Sequence, residues 1–361
     1  MRDANRLSAL RAVMAKEELP AMLVTHLPDV RWLCGFTGSN AALAVTARNA
    51  LMFTDSRYTT QAKQEVRGAK VVIAQKSALK EACALLEQEA KHVGFDAAHT
   101  TITALDEMRL AVSGKIRRGF FIAVKKPLLA ELRMMKDIGE LRLMEKAAAL
   151  GDDVFGAVLP YIHSGMPEIE IAALMEFCAR SLGAEGMSFD TIVASGKRSA
   201  MPHGKASTAK TPRNGFITLD FGVILNGYCS DMTRTVCLGR LSSQERTAYE
   251  AVQEAQQAGI AAVKPGATCA DVDEAARSVL RKTGLARYFT HSTGHGVGLE
   301  IHEAPRLAAG QTQELKPGMV VTVEPGIYIA GKFGIRIEDM VAVTQRGNKV
   351  LTRSPKALIE L

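Results

Sequence analysis

The stretch Ile217-Thr-Leu-Asp220-Phe-Gly-Val-Ile-Leu-Asn226-Gly227-Tyr-Cys-Ser-Asp231-Met-Thr-Arg-Thr-Val236 carries two carboxylates within two apolar runs. An Asn-Gly pair between such runs is the strongest short-range signal of a β-hairpin with a two-residue type I′ turn. With Asn226-Gly227 as the turn, Asp220 faces Thr233, and Asp231 lies on the same face of the hairpin. Diagonal neighbours on one face are separated by roughly 8 Å or less. The stretch therefore predicts a hairpin that brings both carboxylates to one place.

The proximity of Asp220 and Asp231 on one face of the hairpin predicts a positive group between them, because two converging carboxylates otherwise repel each other. Solvent-facing aspartates beside a turn are a common alternative. However, Asp220 lies in the apolar run Ile-Thr-Leu-Asp-Phe-Gly, which is typical of a buried strand. The hairpin therefore favours a shared cation. Cys229 follows the same alternation as Asp231, and we interpret it as a small buried side chain.

Two further carboxylates occupy similar apolar settings. Glu324 ends the run Met319-Val-Val-Thr-Val-Glu324 and precedes Pro-Gly-Ile-Tyr, and Glu338 lies in Gly334-Ile-Arg336-Ile-Glu338-Asp. Strand alternation places Arg336 and Glu338 on one face, so an ion pair between them is one interpretation. For each carboxylate taken alone, a structural charge at the edge of a sheet or a structural ion pair is the favoured interpretation.

Three of the eight histidines fall within the stretch His291-Ser-Thr-Gly-His295-Gly-Val-Gly-Leu-Glu-Ile-His302-Glu303. Glycine at alternate positions disfavours a helix, so we predict a glycine-rich loop whose backbone lies close to another group. A strand is expected to follow at residues 299–302. The stretch has no His-Glu-x-x-His motif, which excludes the single-zinc protease helix. Spacing alone leaves metal ligation, a catalytic cluster and coincidence open.

Taken together, four acids in apolar strands and a glycine-flanked histidine match a two-metal site. The four negative charges of the carboxylates balance the charges of two divalent ions. The remaining ligands would then be a bridging hydroxide and a neutral imidazole. Oxygen-dominated ligation with one imidazole suits manganese or cobalt, with zinc and iron as alternatives. The residues therefore predict two divalent metal ions per chain, with Mn²⁺ as the first expectation.

The composition bounds the class of protein. At 361 residues the chain exceeds the usual size of one domain, and 47% apolar with 23% charged residues is typical of a soluble globular protein. No apolar run is long enough for a membrane span, and the N-terminus lacks the apolar segment of a signal peptide. Six scattered cysteines without a Cys-x-x-Cys motif favour reduced thiols in the cytoplasm. The formal charge of +7 is spread along the chain with only 5% aromatic residues, which disfavours nucleic-acid binding.

The hydrophobic periodicity divides the chain into two domains, which we place at residues 1–126 and 127–361. The first alternates short strands and helices and is predicted to be a small α/β domain. Its predicted strands are residues 21–25, 41–46, 50–53 and 70–73, and its predicted helices are residues 5–17, 58–66 and 77–89.

The second domain is predicted to be of the α+β class, with helices packed on one face of a sheet. Its predicted helices are residues 137–159, 167–182, 243–263 and 269–283. Its predicted strands are residues 191–194, 216–225, 228–238, 320–324 and 335–344. Three of the four acids lie within these predicted strands, and Glu324 ends the strand at residues 320–324.

The four acids and the histidine, in this order along the chain, resemble the ligand set of the metallopeptidases of the pita-bread fold, namely methionine aminopeptidase, aminopeptidase P and prolidase. The motifs Ser195-Gly-Lys-Arg-Ser-Ala-Met-Pro-His203-Gly, Val323-Glu-Pro-Gly-Ile-Tyr and Gly334-Ile-Arg-Ile-Glu-Asp look like those of the proline-specific branch. Gly35-Phe-Thr-Gly-Ser-Asn and Phe53-Thr-Asp-Ser-Arg-Tyr are similar to its creatinase-like N-terminal domain. The resemblance covers nearly the whole chain. It implies a catalytic pita-bread domain preceded by a smaller creatinase-like α/β domain.

The resemblance implies five metal ligands. Asp220 would bind one metal and His295 and Glu324 the other, while Asp231 and Glu338 would bridge the two. The metals would lower the pKa of a bridging water, so that hydroxide attacks the scissile carbonyl at neutral pH. Glu324 would also act as general base.

The same resemblance assigns further polar residues to the substrate. His203 and His302 would hydrogen-bond the substrate and the tetrahedral oxyanion. His291 and Arg336 would line the pocket for the residue after the scissile bond. Arg336 would either hold a free carboxylate there or support Glu338.

The activity implied is hydrolysis of the Xaa-Pro bond at the N-terminus of peptides, by an Xaa-Pro aminopeptidase. This bond is a tertiary amide without an N–H, so a site that packs the pyrrolidine ring selects it by shape. An Xaa-Pro dipeptidase that takes only dipeptides shares every motif and is the main alternative. A creatinase-type hydrolase or an inactive binding module would lack the intact ligand set. Relatives pair through the N-terminal domain, so a cytoplasmic homodimer is expected, without nucleic-acid or membrane partners.

Overall fold

The computed structural model describes residues 2–114 and 117–361, with the side chains of residues 2–5 and 117–118 outside the description. The chain forms two compact units, of which the first ends at Arg133 and the second is Met134–Leu361. The domain boundary predicted between residues 126 and 127 stays a prediction. In the described part of the chain, no helix is both long and apolar enough to cross a membrane.

The first unit is built on one mixed sheet. Its elements are α1 (Arg2–Lys16), β1 (Ala21–Val24), α2 (Leu27–Cys34), β2 (Ala42–Thr46), β3 (Ala50–Thr54), a 3₁₀ turn (Ser56–Tyr58), α3 (Thr59–Glu65), β4 (Lys70–Ile73), α4 (Ala78–Glu89), β5 (Val93–Asp96), α5 (Ile102–Leu110), α6 (Arg117–Phe120), β6 (Phe121–Val124) and α7 (Leu128–Met134). The strands pair in the order β4-β3-β2-β1-β5-β6. The predicted strands and helices of this region are confirmed, with boundaries that differ by a few residues.

Two elements of the first unit, α2 and β5, were not predicted from the hydrophobic periodicity. Helix α2 begins with Pro28 in its first turn, a position that proline favours, but the apolar pattern is too short to stand out. Strand β5 contains Gly94, which weakens a strand pattern. A Cβ added at Gly94 would lie 3.0 Å from Leu19 and Val124, so packing against these side chains explains the glycine.

The second unit is of the α+β class, as predicted. Its elements are α8 (Ile138–Val158), a 3₁₀ turn (Leu159–Tyr161), α9 (Glu168–Ser181), β7 (Gly186–Met187), β8 (Ile192–Ser195), a 3₁₀ turn (Gly196–Ala200), β9 (Gly215–Phe221), β10 (Val223–Leu225), β11 (Tyr228–Cys229), β12 (Met232–Leu238), α10 (Ser243–Ala262), α11 (Cys269–Lys282), a 3₁₀ turn (Ala286–Tyr288), β13 (Gly294–Gly296), β14 (Glu303–Leu307), β15 (Val320–Val323), β16 (Gly326–Ile329), β17 (Phe333–Arg336), β18 (Asp339–Val343) and β19 (Asn348–Val350).

The strands of the second unit form several small sheets rather than the single sheet predicted. One sheet has five strands in the order β14-β13-β15-β18-β19, two have three strands in the orders β12-β9-β8 and β11-β10-β7, and β16 pairs with β17. The sheet β12-β9-β8 contains the two long strands of the hairpin. Ile171 and Met175 of α9 pack in one apolar cluster with Leu219 of β9. Val252 of α10 packs in another cluster that contains Ile335 of β17. Helices α9 and α10 therefore pack in different apolar clusters, against strands of different sheets.

The hairpin has the predicted register. Asp220 pairs with Thr233, and Leu225 pairs with Tyr228 across the turn. Asn226 and Gly227 have φ of 50° and 80°, the positive values that a type I′ turn requires at both positions.

The hairpin bends where β9 gives way to β10. A Cβ at Gly222 would lie 1.8 Å from the carbonyl oxygen of Ser230, so only glycine fits at this crossing. The Ser230 hydroxyl accepts a hydrogen bond from Val223 N at 2.9 Å. One hairpin therefore contributes to two sheets, with Asp231 immediately after the bend.

Two local predictions are wrong. Residues 299–302 form bends instead of a strand, and the strands of this region are β13 and β14 on either side. The alternate glycines belong to the sheet, because a Cβ at Gly294 would lie 2.0 Å from Thr322 O and one at Gly296 would lie 2.1 Å from Ala304 O. The long strand predicted at 335–344 is split into β17 and β18, since Glu338 N leaves the ladder to donate to Thr233 O at 3.1 Å.

Candidate metal centre

The predicted site residues of the second unit line one cavity of about 700 Å³. These nine residues come from six separate parts of the chain, and the folded unit brings all of them to this cavity. They are His203, Asp220, Asp231, His291, His295, His302, Glu324, Arg336 and Glu338.

The hairpin and the break between β17 and β18 deliver three carboxylates. Asp220 lies in β9, and Asp231 immediately precedes β12. Glu338 is drawn against them because its N–H donates to the carbonyl of Thr233, and its Oε2 accepts from the Thr233 hydroxyl at 2.7 Å. Thr233 thus fixes both the backbone and the carboxylate of Glu338.

The five-stranded sheet delivers His295 and Glu324. The N–H of His295 donates to the Thr322 hydroxyl at 3.1 Å, and the N–H of Glu324 donates to Thr293 O at 2.8 Å. The imidazole Nε2 of His295 then lies 3.5 Å from Asp231 Oδ2 and 3.6 Å from Glu324 Oε1. These contacts place the histidine between acids from two sheets.

The tautomer of His295 is fixed by the backbone of its own strand, β13. Nδ1 lies 2.9 Å from Gly296 O, an acceptor, so the proton belongs on Nδ1 and the lone pair on Nε2 faces the acids. Burial lowers the pKa of this imidazole to about 4. A neutral imidazole with a free Nε2 lone pair is the form that ligates a metal.

The acids of the site are buried together. Burial, followed by the charges of Glu338 and Asp220, raises the pKa of Asp231 well above its usual value. Burial, followed by the charge of Glu324, does the same for the pKa of Glu338. Burial also raises the pKa of Glu324 to about 8. Four carboxylates in one cavity therefore need more positive charge than the surrounding residues supply.

Arg336 supplies part of that charge. Its guanidinium, 3% exposed, donates to Asp220 Oδ2 at 2.5 Å, to the Thr233 hydroxyl at 3.0 Å and to Tyr328 Oη at 2.6 Å. It reaches Glu338 only through Thr233. These contacts favour the support of the acids by Arg336 over direct capture of a substrate carboxylate, which stays a prediction.

The residues fit divalent cations. Asp220 Oδ1 is buried and has no hydrogen-bond partner in the described part of the chain. Ligand atoms of Asp231, His295 and Glu338 lie within 4.8 Å of one another. An orphaned carboxylate oxygen next to converging acids and one imidazole is a donor set suited to such ions.

The other predicted histidines differ in how firmly they are held. His291 Nε2 lies 2.9 Å from Tyr328 Oη and Nδ1 lies 2.8 Å from Ser292 O, and burial lowers the pKa of this imidazole to about 4. His302 is exposed and meets His295 edge-on, with ring centroids 4.5 Å apart. His203 is also exposed and lines the same cavity.

Several cavity residues were not predicted from the sequence. Arg306 is exposed on β14, directly opposite His295 in the strand register. Lys205 and Asp190 form an exposed ion pair of 2.7 Å at the cavity, next to Phe189. A strand assignment at residues 303–307 would have revealed Arg306 as the cross-strand neighbour of His295. The other three carried no local signal.

Comparison with known proteins places the chain in a family. Residues 142–345 match the family model of metallopeptidase family M24, and residues 6–135 match that of the creatinase/prolidase N-terminal domain. The protein therefore belongs to metallopeptidase family M24, as the sequence predicted. The family match also confirms the predicted arrangement of a creatinase-like domain before a catalytic domain.

Individual relatives cover nearly the whole chain. An uncharacterised peptidase of Bacillus subtilis is 40% identical over 357 residues, which are 99% of this chain and 100% of the relative. The structure of an Xaa-Pro dipeptidase from Bacillus anthracis has a TM-score of 0.95 at 38% identity, covering 99% of this chain and 100% of the other. That of an X-Pro aminopeptidase from Thermotoga maritima has a TM-score of 0.88 at 35% identity, covering 95% and 98%.

Proposed function

We propose that this metallopeptidase is a dinuclear-metal exopeptidase that hydrolyses Xaa-Pro peptide bonds. The observation that carries the proposal is the convergence of three buried carboxylates, the partly buried Glu324 and one neutral imidazole on a single cavity. The names of the similar structures, an Xaa-Pro dipeptidase and an X-Pro aminopeptidase, support the substrate class.

The proposed metal ligands are the five residues that the resemblance implies, and all five line the same cavity. Asp220 would hold one ion, His295 and Glu324 would hold the other, and Asp231 and Glu338 would be shared. Oxygen ligands with one imidazole suit Mn²⁺ first, then Co²⁺, Zn²⁺ or Fe²⁺. When bound, divalent ions supply Lewis acidity, which polarises a carbonyl and lowers the pKa of water.

The side chains of the cavity are proposed to bind the peptide and move protons. Glu324, whose side chain is 16% exposed compared with 5% for Asp231, is the acid best placed to accept a proton as general base. His203 and His302 are exposed and able to donate hydrogen bonds to the substrate carbonyl and the oxyanion. His291, held by Tyr328, forms the wall beside the residue after the scissile bond.

Selection of proline is proposed to rest on shape. The Xaa-Pro amide has no N–H, so a site gains nothing by placing an acceptor there. The cavity is lined by Phe189, Ile192 and Ile301, which give the pyrrolidine ring apolar surface to pack on.

Action on the N-terminal Xaa-Pro bond of longer peptides is the first expectation from the sequence. The motifs are common to both activities, and Arg306 favours a dipeptidase. Arg306 is exposed at the cavity and has no ion-pair partner among the described residues. An unpaired guanidinium opposite His295 is suited to the C-terminal carboxylate of a dipeptide. Xaa-Pro dipeptidase activity is thus the second candidate, with this one observation in its favour.

Hydrolysis of an Xaa-Pro dipeptide and an Xaa-Pro-Xaa tripeptide tests the proposal. Both are assayed with metal-free protein and with Mn²⁺, Co²⁺, Zn²⁺ or Fe²⁺ added. Activity that depends on metal, with two ions bound per chain, is expected. Inactivity on both peptides with every metal would contradict the peptidase proposal.

Replacement of Arg306 separates the two candidates. If Arg306 holds the carboxylate, Arg306→Met is expected to raise the KM for the dipeptide by about 10- to 100-fold and to leave the tripeptide nearly unchanged. Arg306→Lys, which keeps the charge, serves as the matched control. An equal change for both peptides would show that Arg306 does not read the C-terminal carboxylate.

We also propose a cytoplasmic homodimer whose N-terminal domain ends near residue 126. Six free thiols suit a reducing compartment, and neither nucleic acid nor a membrane is expected as a partner. Light scattering tests the dimer, and limited proteolysis tests the domain boundary.

A further inference from the structure

His203 lies in a loop that leaves the sheet at the end of β8 and returns to it. The 3₁₀ turn Gly196–Ala200 follows Ser195, and Lys205 then pairs with Ile192 of β8. No hydrogen bond holds the His203 ring within the residues that the structure describes. The position of this imidazole at the cavity therefore depends on the backbone of the loop.

A single buried carboxylate fastens both ends of this loop. Glu168, 0% exposed in the first turn of α9, accepts hydrogen bonds from Ser195 N at 2.8 Å and from the Ser195 hydroxyl at 2.9 Å. It also accepts one from the Ser207 hydroxyl at 2.8 Å. Ser195 and Ser207 mark the two ends of the loop, so one side chain joins them.

Arg198 completes the clamp. Its Nε lies 3.0 Å from Glu168 Oε2, which gives the buried carboxylate a charged partner. Its Nη2 donates to Lys205 O at 2.8 Å, two residues after His203. Hydrogen bonds to an ionised group are roughly twice as strong as neutral ones, so this network is a firm attachment.

The other side of the loop is attached to the metal centre itself. Arg336 Nη1 donates to Pro202 O at 3.1 Å, and Gly334 N donates to the Ser199 hydroxyl at 2.8 Å. These bonds hold the loop from the cavity side, while Glu168 holds it from the helix side. Removal of the Glu168 carboxylate would leave only one of these two supports.

We propose that Glu168 is a positioning residue for His203. Its carboxylate holds the loop so that the imidazole of His203 stays at the rim of the cavity, within reach of a bound peptide. Glu168 touches neither substrate nor metal and acts only through the loop. The inference rests on the proposed function, in which His203 donates to the substrate.

The test compares Glu168→Gln with Glu170→Gln, an exposed glutamate in the same helical turn. Glutamine keeps the size of the side chain but cannot accept hydrogen bonds from all the donors that surround Glu168. Glu168→Gln is expected to lower kcat on Xaa-Pro substrates by about 10- to 100-fold, because small displacements of a catalytic group cost that much. Metal content is expected to stay the same, and Glu170→Gln is expected to behave like the wild type.

A double-mutant cycle with His203→Ala distinguishes positioning from a general loss of structure. If Glu168 acts through His203, Glu168→Gln will cause almost no further loss of kcat in the His203→Ala background. The same fold-loss in both backgrounds would overturn the positioning role. If Glu168→Gln does not fold, Ser207→Ala, which removes one bond of the clamp, enters the same cycle.

The two proposals fail in different ways. Wild-type protein that is inactive on every Xaa-Pro peptide would overturn both the proposed function and the role of Glu168. If the wild-type protein is active, and Glu168→Gln lowers kcat by the same factor with and without His203→Ala, only the role of Glu168 is overturned.

Discussion

Each unit of the protein contains a cluster of acids and histidines, and only one of the two resembles a metal centre in its electrostatics. Ligand atoms of Asp231, His295 and Glu338 lie within 4.8 Å of one another in the second unit. Ligand atoms of Asp29, Asp96 and His99 do the same in the first. Proximity of suitable side chains therefore does not separate the two clusters.

Charge compensation separates them. In the first unit Asp96 Oδ2 lies 2.7 Å from His99 Nδ1, and Asp29 lies 3.1 Å from His26 Nδ1 and 2.8 Å from Arg133 Nη1. Each carboxylate there has its own donor. In the metal centre four acids share Arg336 as their close cation, and an oxygen of Asp220 has no donor within the described residues. A cluster that lacks positive charge is the better candidate for a metal site.

The largest effect is expected from Asp231→Asn. The substitution keeps the shape of the side chain and removes the charge of an acid that both ions are proposed to share. Loss of bound metal and a fall in kcat/KM of at least about 100-fold are expected. Even the replacement of a residue that only hydrogen-bonds to a metal ligand lowers metal affinity or activity by about 10- to 100-fold. Metal analysis and peptide hydrolysis measure both. Asp96→Asn in the other cluster is the matched control and is expected to change neither; full activity of Asp231→Asn would refute the shared-ligand role.

Metal removal is expected to make stability depend on pH. The pKa of Glu324 is raised by burial from 4.5 to about 8, so its contribution to stability is present below 4.5 and is lost as pH rises through 8. One group with such a shift changes the free energy of unfolding by on the order of 5 kcal/mol. Thermal unfolding of metal-free protein between about pH 5 and about pH 9 should show a falling Tm. In protein loaded with Mn²⁺, Tm should fall less steeply with pH. The same fall in Tm with and without metal would contradict the interpretation that the acids lack positive charge when no metal is bound.

The smallest effect is expected from His99→Ala. His99 pairs with Asp96 near the surface, its side chain is 37% exposed, and such pairs contribute less than about 1 kcal/mol. Activity and the number of bound metals should stay at their wild-type values, while Tm should fall only slightly. A lost metal ion or lost activity would show that the cluster of the first unit also binds a functional ion.

Local sequence was sufficient where the relevant contacts are local. The Asn226-Gly227 turn specifies its own register, so it placed Asp220 opposite Thr233 correctly. The acids at 324 and 338 were recognisable because a charge within an apolar run stands out. Ordered along the chain with His295, they also carried the resemblance to the family.

The glycines around His295 show the limit of a local pattern. Alternate glycine was interpreted as a loop, because glycine is depleted in strands. Gly294 and Gly296 instead lie in a strand where neighbouring backbone leaves no room for a Cβ. The contacts come from Thr322 and Ala304, one of them almost thirty residues away, and no local pattern encodes such a distance.

The substrate side of the site was predicted least completely for the same reason. Arg306 reaches the cavity through its pairing with His295, and that pairing includes a register shift. Glu168 contacts Ser207, 39 residues later in the chain. Only the folded arrangement shows that these residues serve the loop and the cavity.

The bent hairpin also sets the order in which the site is assembled during folding. Asp220 and Asp231 are joined by a short turn, so they meet early and at small entropic cost. Arg336, which neutralises Asp220, is 116 residues further along the chain and arrives only with long-range strand pairing. If the hairpin forms first, the two acids would lie close together before a counter-charge reaches them. We expect refolding to accelerate as added salt screens that repulsion.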